Sequence, residues 1–336
     1  MPEDTRPIIA VTVGDEAGIG PEVVARALAA TRVYDWCRPL VIGSVDVMRH
    51  TINNLGLSSS LRQVEQPKEG GYQPGTIDLL DAGGLAWGSF ALGQVQAKVG
   101  KAAMVHTEVA VRLALSGHVH GICSAPVNKE AMHLAGYDFP GQTELLAHLT
   151  GARKYAMMLS FGAIRVFFVT NHVSMRQACE QITKSRVLHV IQVADQGLRD
   201  LRVGRSLIGV AGLNPHCGEH GLMGREEIDC IVPAVEEARQ LGIEVEGPIP
   251  GDIIFAWAKD GRYGAVVAMY HDQGNTPIKL LGYHAAVTVV VGLPIVRTSV
   301  AHGTAYDIAG KGIADPSTIV EAIKVAAQFA AARQEE

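Results

Sequence analysis

Short β-branched runs alternate with alanine-rich amphipathic stretches along most of this chain, and that alternation leaves few folds open. IIAVTV leads through a glycine loop into PEVVARALAA, PLVIG into VDVMRHTINNLG, and VHGICSAPV into NKEAMHLAG. SLIGVAGLN is followed, after a loop, by a helical stretch near REEIDCIVPAVEEARQLG. GAVVAMYH leads into a loop and then the strand-like AAVTVVVG, and the chain closes on the helical STIVEAIKVAAQFAAARQ. Strand–helix alternation of this kind predicts α/β units with mostly parallel strands. The 336 residues suffice for one large or two medium domains with a real core. No repeat and no Pro/Gly/Ser-rich tether marks a boundary between them.

Composition narrows the function classes. Hydrophobic residues make up 48% and charged residues 19%, the balance of a globular chain. A net charge of −5 offers no basic surface for nucleic acid or an anionic membrane. A phosphate on a substrate must then be met by a few placed cations. No apolar run approaches the roughly 18 residues of a membrane span, and no signal-peptide pattern opens the sequence. Five cysteines, odd in number and without CxxC spacing, fit a reducing cytoplasm. Cys217, beside His216, reads as a small buried thiol rather than a soft ligand.

Three histidines follow strand-like runs: His172 in VFFVTNHVSMR, His216 in GVAGLNPHCGEHG and His271 in VVAMYHDQGNTPIK. Open α/β sheets collect ligands at the carboxyl ends of their strands. Three neutral imidazoles there would form a catalytic metal site with open positions for substrate. One such histidine alone reads as an ordinary loop residue; three placed alike do not. Four further segments carry chemistry. In VGDEAGIGPEVV, glycines after a strand precede Pro21, which suits a first helical turn. That turn could hold an anion on its free amides. In CSAPVNKEAMHLAGYDFPGQTELLAHLTG, Gln142 and Thr143 stand before ELLAHL, with Thr143 the expected helix cap. Arg297 is the one cation in LPIVRTSV, and reads equally as a structural ion pair or as an anion receptor. HGTAYDIAGKGIADP places three glycines near Asp307 and Asp315, a loop that can lie against a cofactor and offer a carboxylate to ribose.

These motifs resemble known enzymes. HGTAYDIAGKGIADP is similar to the adenosine-binding loop of the isopropylmalate and isocitrate dehydrogenases, and GDEAGIGPEV to their GDGIGPE opening. More of the chain resembles the 4-hydroxythreonine-4-phosphate dehydrogenase family. GDEAGIGPE, APVNKEAMHLAG, PGQTELLA, GLNPHCGEHGLMGREE, YHDQGNTPIKLLG and GLPIVRTSVAHGTAYDIA keep its order and spacing. Within it, the chain looks most like the 4-phospho-D-threonate and 4-phospho-D-erythronate 3-dehydrogenases. The resemblance implies two α/β/α domains around a cleft, like isocitrate and isopropylmalate dehydrogenases. One domain would combine the N-terminal part with the C-terminal tail, the other the middle segment.

The resemblance also implies a site. His172, His216 and His271 would hold a divalent metal, zinc first, with magnesium, cobalt or nickel as alternatives. Gln142, Thr143, Lys279, Thr288 and Arg297 would bind the substrate's phosphate and carboxylate. Gln142 and Thr288 stand where the family commonly has histidine and asparagine, Asn275 replaces a residue often histidine or apolar, and Asn171 a common threonine. His302, Gly303, Thr304, Asp307 and Asp315 would line the cofactor, with Asp307 favouring NAD over NADP. Lys279, Asp252 and Asp272 are the catalytic candidates. The implied reaction is NAD-dependent oxidation at C3 of a phosphorylated four-carbon hydroxy acid, followed by decarboxylation of the β-keto acid. The implied assembly is a cytoplasmic homodimer in which one copy lends a metal histidine to the other. Competing readings are the 4-hydroxythreonine-4-phosphate dehydrogenase of pyridoxal phosphate synthesis and a diol dehydrogenase on an unphosphorylated cyclic dicarboxylate. A phosphate acyltransferase of the same broad fold needs neither the histidines nor the ribose carboxylate, and a non-catalytic metal binder needs no cofactor loop.

Overall fold

The computed structural model describes residues 4–282 and 285–334. Its strands are β1 (Ile8–Thr12), β2 (Arg38–Gly43), β3 (Ser60–Val64), β4 (Thr76–Asp81), β5 (Gly121–Ser124) and β6 (Ala156–Phe161). They continue as β7 (Ile164–Phe168), β8 (Ile208–Ala211), β9 (Val245–Ile249), β10 (Ala265–Ala268), β11 (Val287–Val291) and β12 (Val296–Val300). The chain divides into two compact units: the part up to Arg153 together with the segment from Leu293 onward, and Lys154–Gly292.

The first unit carries strand order β3-β4-β2-β1-β5-β12 with every pair parallel. IIAVT of β1 is buried along its whole length, as a central parallel strand covered on both faces must be. Helix Gly20–Ala29 starts as read, with Pro21 in its first turn. The long helix Ala97–Leu115, which the motif reading passed over, buries Val99, Ala103, Met104, His106, Thr107, Ala110 and Val111. That stripe of helical period packs on the sheet. Helix Gln142–Thr150 begins two residues earlier than expected. Extended Gly141 occupies the cap position, and Thr143 is already inside the helix.

The second unit has order β11-β6-β7-β10-β8-β9. Strands β7, β10, β8 and β9 are parallel, while β6 runs antiparallel to both β7 and β11. The mostly parallel expectation holds, with this one inversion. The inversion comes from a tight hairpin: Phe161 pairs with Ile164 across Gly162, which takes φ 54°. One expected loop is a helix instead. HDQGNTPIKLLG forms helix His271–Gly282 with Pro277 inside it. Proline costs that helix a hydrogen bond, but buried Gly274 and Ile278 fix it to the sheet. All five cysteines are free. Among the described residues, no helix is long and apolar enough to cross a membrane.

Candidate active site

In the second unit, neighbouring parallel strands β7, β10 and β8 each deliver one histidine just beyond their carboxyl ends. Pairing of β7 with β10 persists into their loops. The Val169 amide donates to the Ala268 carbonyl at 2.9 Å, and the Thr170 hydroxyl to the Met269 carbonyl at 2.9 Å. His172 and His271 therefore emerge side by side, with ring centroids 5.4 Å apart and planes at 45°. Nδ1 of His271 lies 2.6 Å from Asp272 Oδ1. With Nδ1–H donating to that carboxylate, Nε2 is left as the basic nitrogen, the arrangement a metal-binding imidazole uses.

Gly274 explains how helix His271–Gly282 comes close enough. A Cβ there would lie 2.6 Å from Phe168 and 2.7 Å from Val166 of β7. Only hydrogen fits, so the helix start is drawn against β7, and the His271 ring stacks near Phe168 at 6.4 Å. Asn275 spends its amide on the His271 carbonyl at 3.0 Å.

His216 follows a different course. Residues His216 to His220 all have φ between 46° and 78°, a left-handed turn in which only Gly218 is glycine. Each non-glycine residue in that region costs roughly 1–2 kcal/mol, so the surroundings must impose it. Buried Glu227 ties down the chain just before this turn. Its carboxylate accepts from the amides of Leu213 and Asn214, both at 2.7 Å, and from the Asn214 side chain at 2.9 Å. Cys217, inside the turn, has its thiol pushed up to about 11 by burial and by nearby Glu227 and Asp252.

Two adjoining clefts result within this unit. His216 and Asp252 line one of about 780 Å³. Asn171, His172 and His271 line another of about 480 Å³, and Tyr270 and Asp272 border both. Two imidazoles thus come together and the third stands apart. Among the described residues, no group of three His, Cys, Asp or Glu side chains could hold a metal ion. Lys279 lies half-buried two turns along the helix from His271. Thr288 sits in β11 opposite Leu159 and lines neither cleft.

In the first unit, Arg297 of β12 is 3% exposed. Its Nη2 donates to Gln142 Oε1 at 2.6 Å, and its Nε reaches Ser124 Oγ at 3.4 Å. Gln142 in turn donates to Thr107 Oγ1 at 3.0 Å. No carboxylate pairs with this guanidinium among the described residues, and burial pushes its pKa down to about 10. Glu144 acts on it only from a distance, so the structure gives this arginine no close ion pair. Thr143 follows Gln142 in the first turn of the same helix.

The loop from His302 to Asp315 belongs to this unit too. Gly18 lets the glycine turn press against it, since a Cβ would lie 2.7 Å from the Thr304 carbonyl. The Ile19 amide donates to that carbonyl at 3.0 Å. Thr304 is buried, and Asp307 is exposed. A Cβ on Gly303 would meet open space, so room for a ligand exists beside the loop. Asp315 Oδ1 accepts from the amide and hydroxyl of Ser317 at 2.9 and 2.6 Å, at the start of helix Ser317–Gln334. Thr107, Ser124, Glu22 and Glu227 were missed from sequence. Glu22 and Glu227 lay in quoted motifs as unexplained acids, but Thr107 lies on the helix that was not read.

The family model for pyridoxal phosphate biosynthetic protein PdxA matches residues 35–326. This chain belongs to that family. The D-threonate 4-phosphate dehydrogenase of Cupriavidus necator is 45% identical over 331 residues, covering 98% of this chain and 99% of its own length. The crystal structure of a 4-hydroxythreonine-4-phosphate dehydrogenase from Klebsiella pneumoniae matches with a TM-score of 0.89 at 42% identity, covering 96% and 99% of the two chains. A terephthalate 1,2-cis-dihydrodiol dehydrogenase from Burkholderia xenovorans stands further off, at 29% identity and a TM-score of 0.65 over 96% and 98%. The isocitrate and isopropylmalate dehydrogenase-like α/β fold expected from the motifs is the fold of these PdxA relatives.

Proposed function

We propose that this chain is an NAD-dependent, divalent-metal-assisted dehydrogenase that oxidises C3 of 4-phospho-D-threonate or 4-phospho-D-erythronate. The observation that carries this reading is Arg297. A guanidinium buried without a carboxylate partner bears a desolvation cost that an incoming phosphate or carboxylate offsets. Thr143, next in the first helical turn after Gln142, would add a hydroxyl and the positive end of the helix. Lys279 would hold the other anionic end. The 45% relative named for D-threonate 4-phosphate supports this substrate over a cyclic diol. An acyltransferase would leave the paired imidazoles without a purpose.

His172 and His271 fit a divalent ion: they are close, and Asp272 fixes the tautomer of one. A bound ion would acidify the substrate hydroxyl and polarise the ketone that replaces it, which favours loss of CO2 from the β-keto acid. NAD would accept the hydride. Asp307 would accept hydrogen bonds from ribose and repel a 2′-phosphate. Asp272 is engaged by His271, so Asp252 is the carboxylate left to take the hydroxyl proton.

A second copy of the chain would supply the third imidazole. The left-handed turn sets His216 and Asp252 in their own cleft, where a partner could receive them together. The linings of the two clefts expose apolar side chains suited to an interface, among them Val173, Met175 and Leu280, the last 86% exposed.

The test is NADH production on 4-phosphothreonate, 4-phosphoerythronate and 4-hydroxythreonine 4-phosphate, after chelation and with Zn2+, Mg2+ or Co2+ restored. Metal-dependent turnover of one of the first two is expected. Turnover of 4-hydroxythreonine 4-phosphate alone would move the substrate to the other family branch. Turnover of none would overturn the proposal.

A further inference from the structure

We propose that Glu22 is a positioning residue for the nicotinamide cofactor, setting the backbone of the loop that presents Asp307. This deepens, and rests on, the reading of residues 302–315 as the cofactor loop. Glu22 lies in the first turn of helix Gly20–Ala29 and is only 5% exposed. Its two carboxylate oxygens accept separately, Oε1 from the Gly310 amide and Oε2 from the Gly312 amide at 3.0 Å. One turn later Arg26 donates to the Gly312 carbonyl. At the other side of Asp307, the Tyr306 hydroxyl donates to Asp15 Oδ2 at 2.8 Å.

The stretch Asp307 to Ala309 is therefore held at both ends by one short segment, the glycine turn and the helix it opens. An acid in a first helical turn is often explained by the helix dipole alone. Such a carboxylate has no need to be buried. Glu22 is buried and spends its two oxygens on amides 288 and 290 residues away in the chain. Those amides belong to Gly310 and Gly312, which hold φ of 79° and 64°. Glycine reaches such positive φ freely but samples many other conformations as well, so the two hydrogen bonds select this one. Asp307 itself touches no partner among the described residues, so its position depends on these anchors.

Glu22→Gln keeps the size but turns an NH2 group toward one of the two amides. In the metal-loaded full-length protein, NADH affinity measured by fluorescence titration is expected to fall about tenfold or more. The KM for NAD should rise in parallel, with kcat at saturating NAD and the substrate KM within about twofold of wild type. Amide hydrogen exchange over 307–312 should quicken. Unchanged NADH affinity in a folded Glu22→Gln variant overturns the proposal, as does a loss confined to kcat and melting temperature. If that variant does not fold, Tyr306→Phe removes the anchor to Asp15 while leaving the Glu22 bonds, and the same affinity-only loss is expected, smaller in size; no loss overturns the proposal. Asp307→Asn separates the two levels. Normal NADH affinity in Asp307→Asn would overturn the cofactor-loop reading and this inference with it. Weakened affinity there, with normal affinity in Glu22→Gln, overturns this inference alone.

Discussion

Arg297 and Gln142 form a buried pair, guanidinium to side-chain carbonyl at 2.6 Å, with the Gln142 amide group tied back to Thr107 at 3.0 Å. Both ends of the carboxamide are engaged. In the proposed site Gln142 would therefore act chiefly through the arginine it orients. Arg297→Met should lower kcat/KM for a phosphorylated acid by about 10- to 100-fold, the worth of one charge-assisted bond. Its melting temperature should change little, because the buried charge is itself a burden on the fold. Stopped activity with a large thermal destabilisation would instead mark Arg297 as structural.

Gly274 sets the distance between the helix that starts at His271 and β7. Gly274→Ala must push Phe168 or Val166 aside, since its methyl would lie within 2.7 Å of both. Overpacking of this kind costs about 1–3 kcal/mol. The expected result is a lower midpoint in chemical denaturation, together with weaker binding of divalent metal measured by calorimetry. Wild-type metal affinity would show that the helix approach does not govern the imidazole pair.

Glu16 gives the protein a pH dependence of stability. Burial pushes its pKa up to about 7, against the hydrogen bonds it accepts from Ser44. The folded state thus holds this proton more tightly than the unfolded chain does. The stabilisation is complete below the ordinary carboxylate range, declines as pH rises, and is gone above about 7. Glu16→Gln should remove that decline. Its melting temperature relative to wild type should climb between pH 5 and roughly 7.5 and then level off. A constant difference across that range would contradict the assignment.

The sequence made the strands and the histidine positions legible because each rests on a local pattern: β-branched runs, then a polar loop. The helix His271–Gly282 was not legible, since Pro277 and Gly274 argue locally against it and only packing on β7 decides for it. The left-handed turn at His216 was hidden for a similar reason. Nothing in PHCGEH signals positive φ, and Glu227, which anchors the chain entering the turn at Leu213 and Asn214, shows its role only when the loop folds over it. Arg297 shows the same limit: its type was readable, but whether a carboxylate faced it was not.

The central claim is that a catalytic metal centre forms when His216 of one copy meets His172 and His271 of another. His216→Ala and His271→Ala should each be inactive alone while remaining folded. Mixed in equal amounts after gentle dissociation and reassembly, half of the dimers pair the two variants, and each such dimer holds one intact site. Recovery of about a quarter of wild-type turnover is predicted. Absence of any recovery, with mixed dimers demonstrated by native mass spectrometry, would contradict the shared centre.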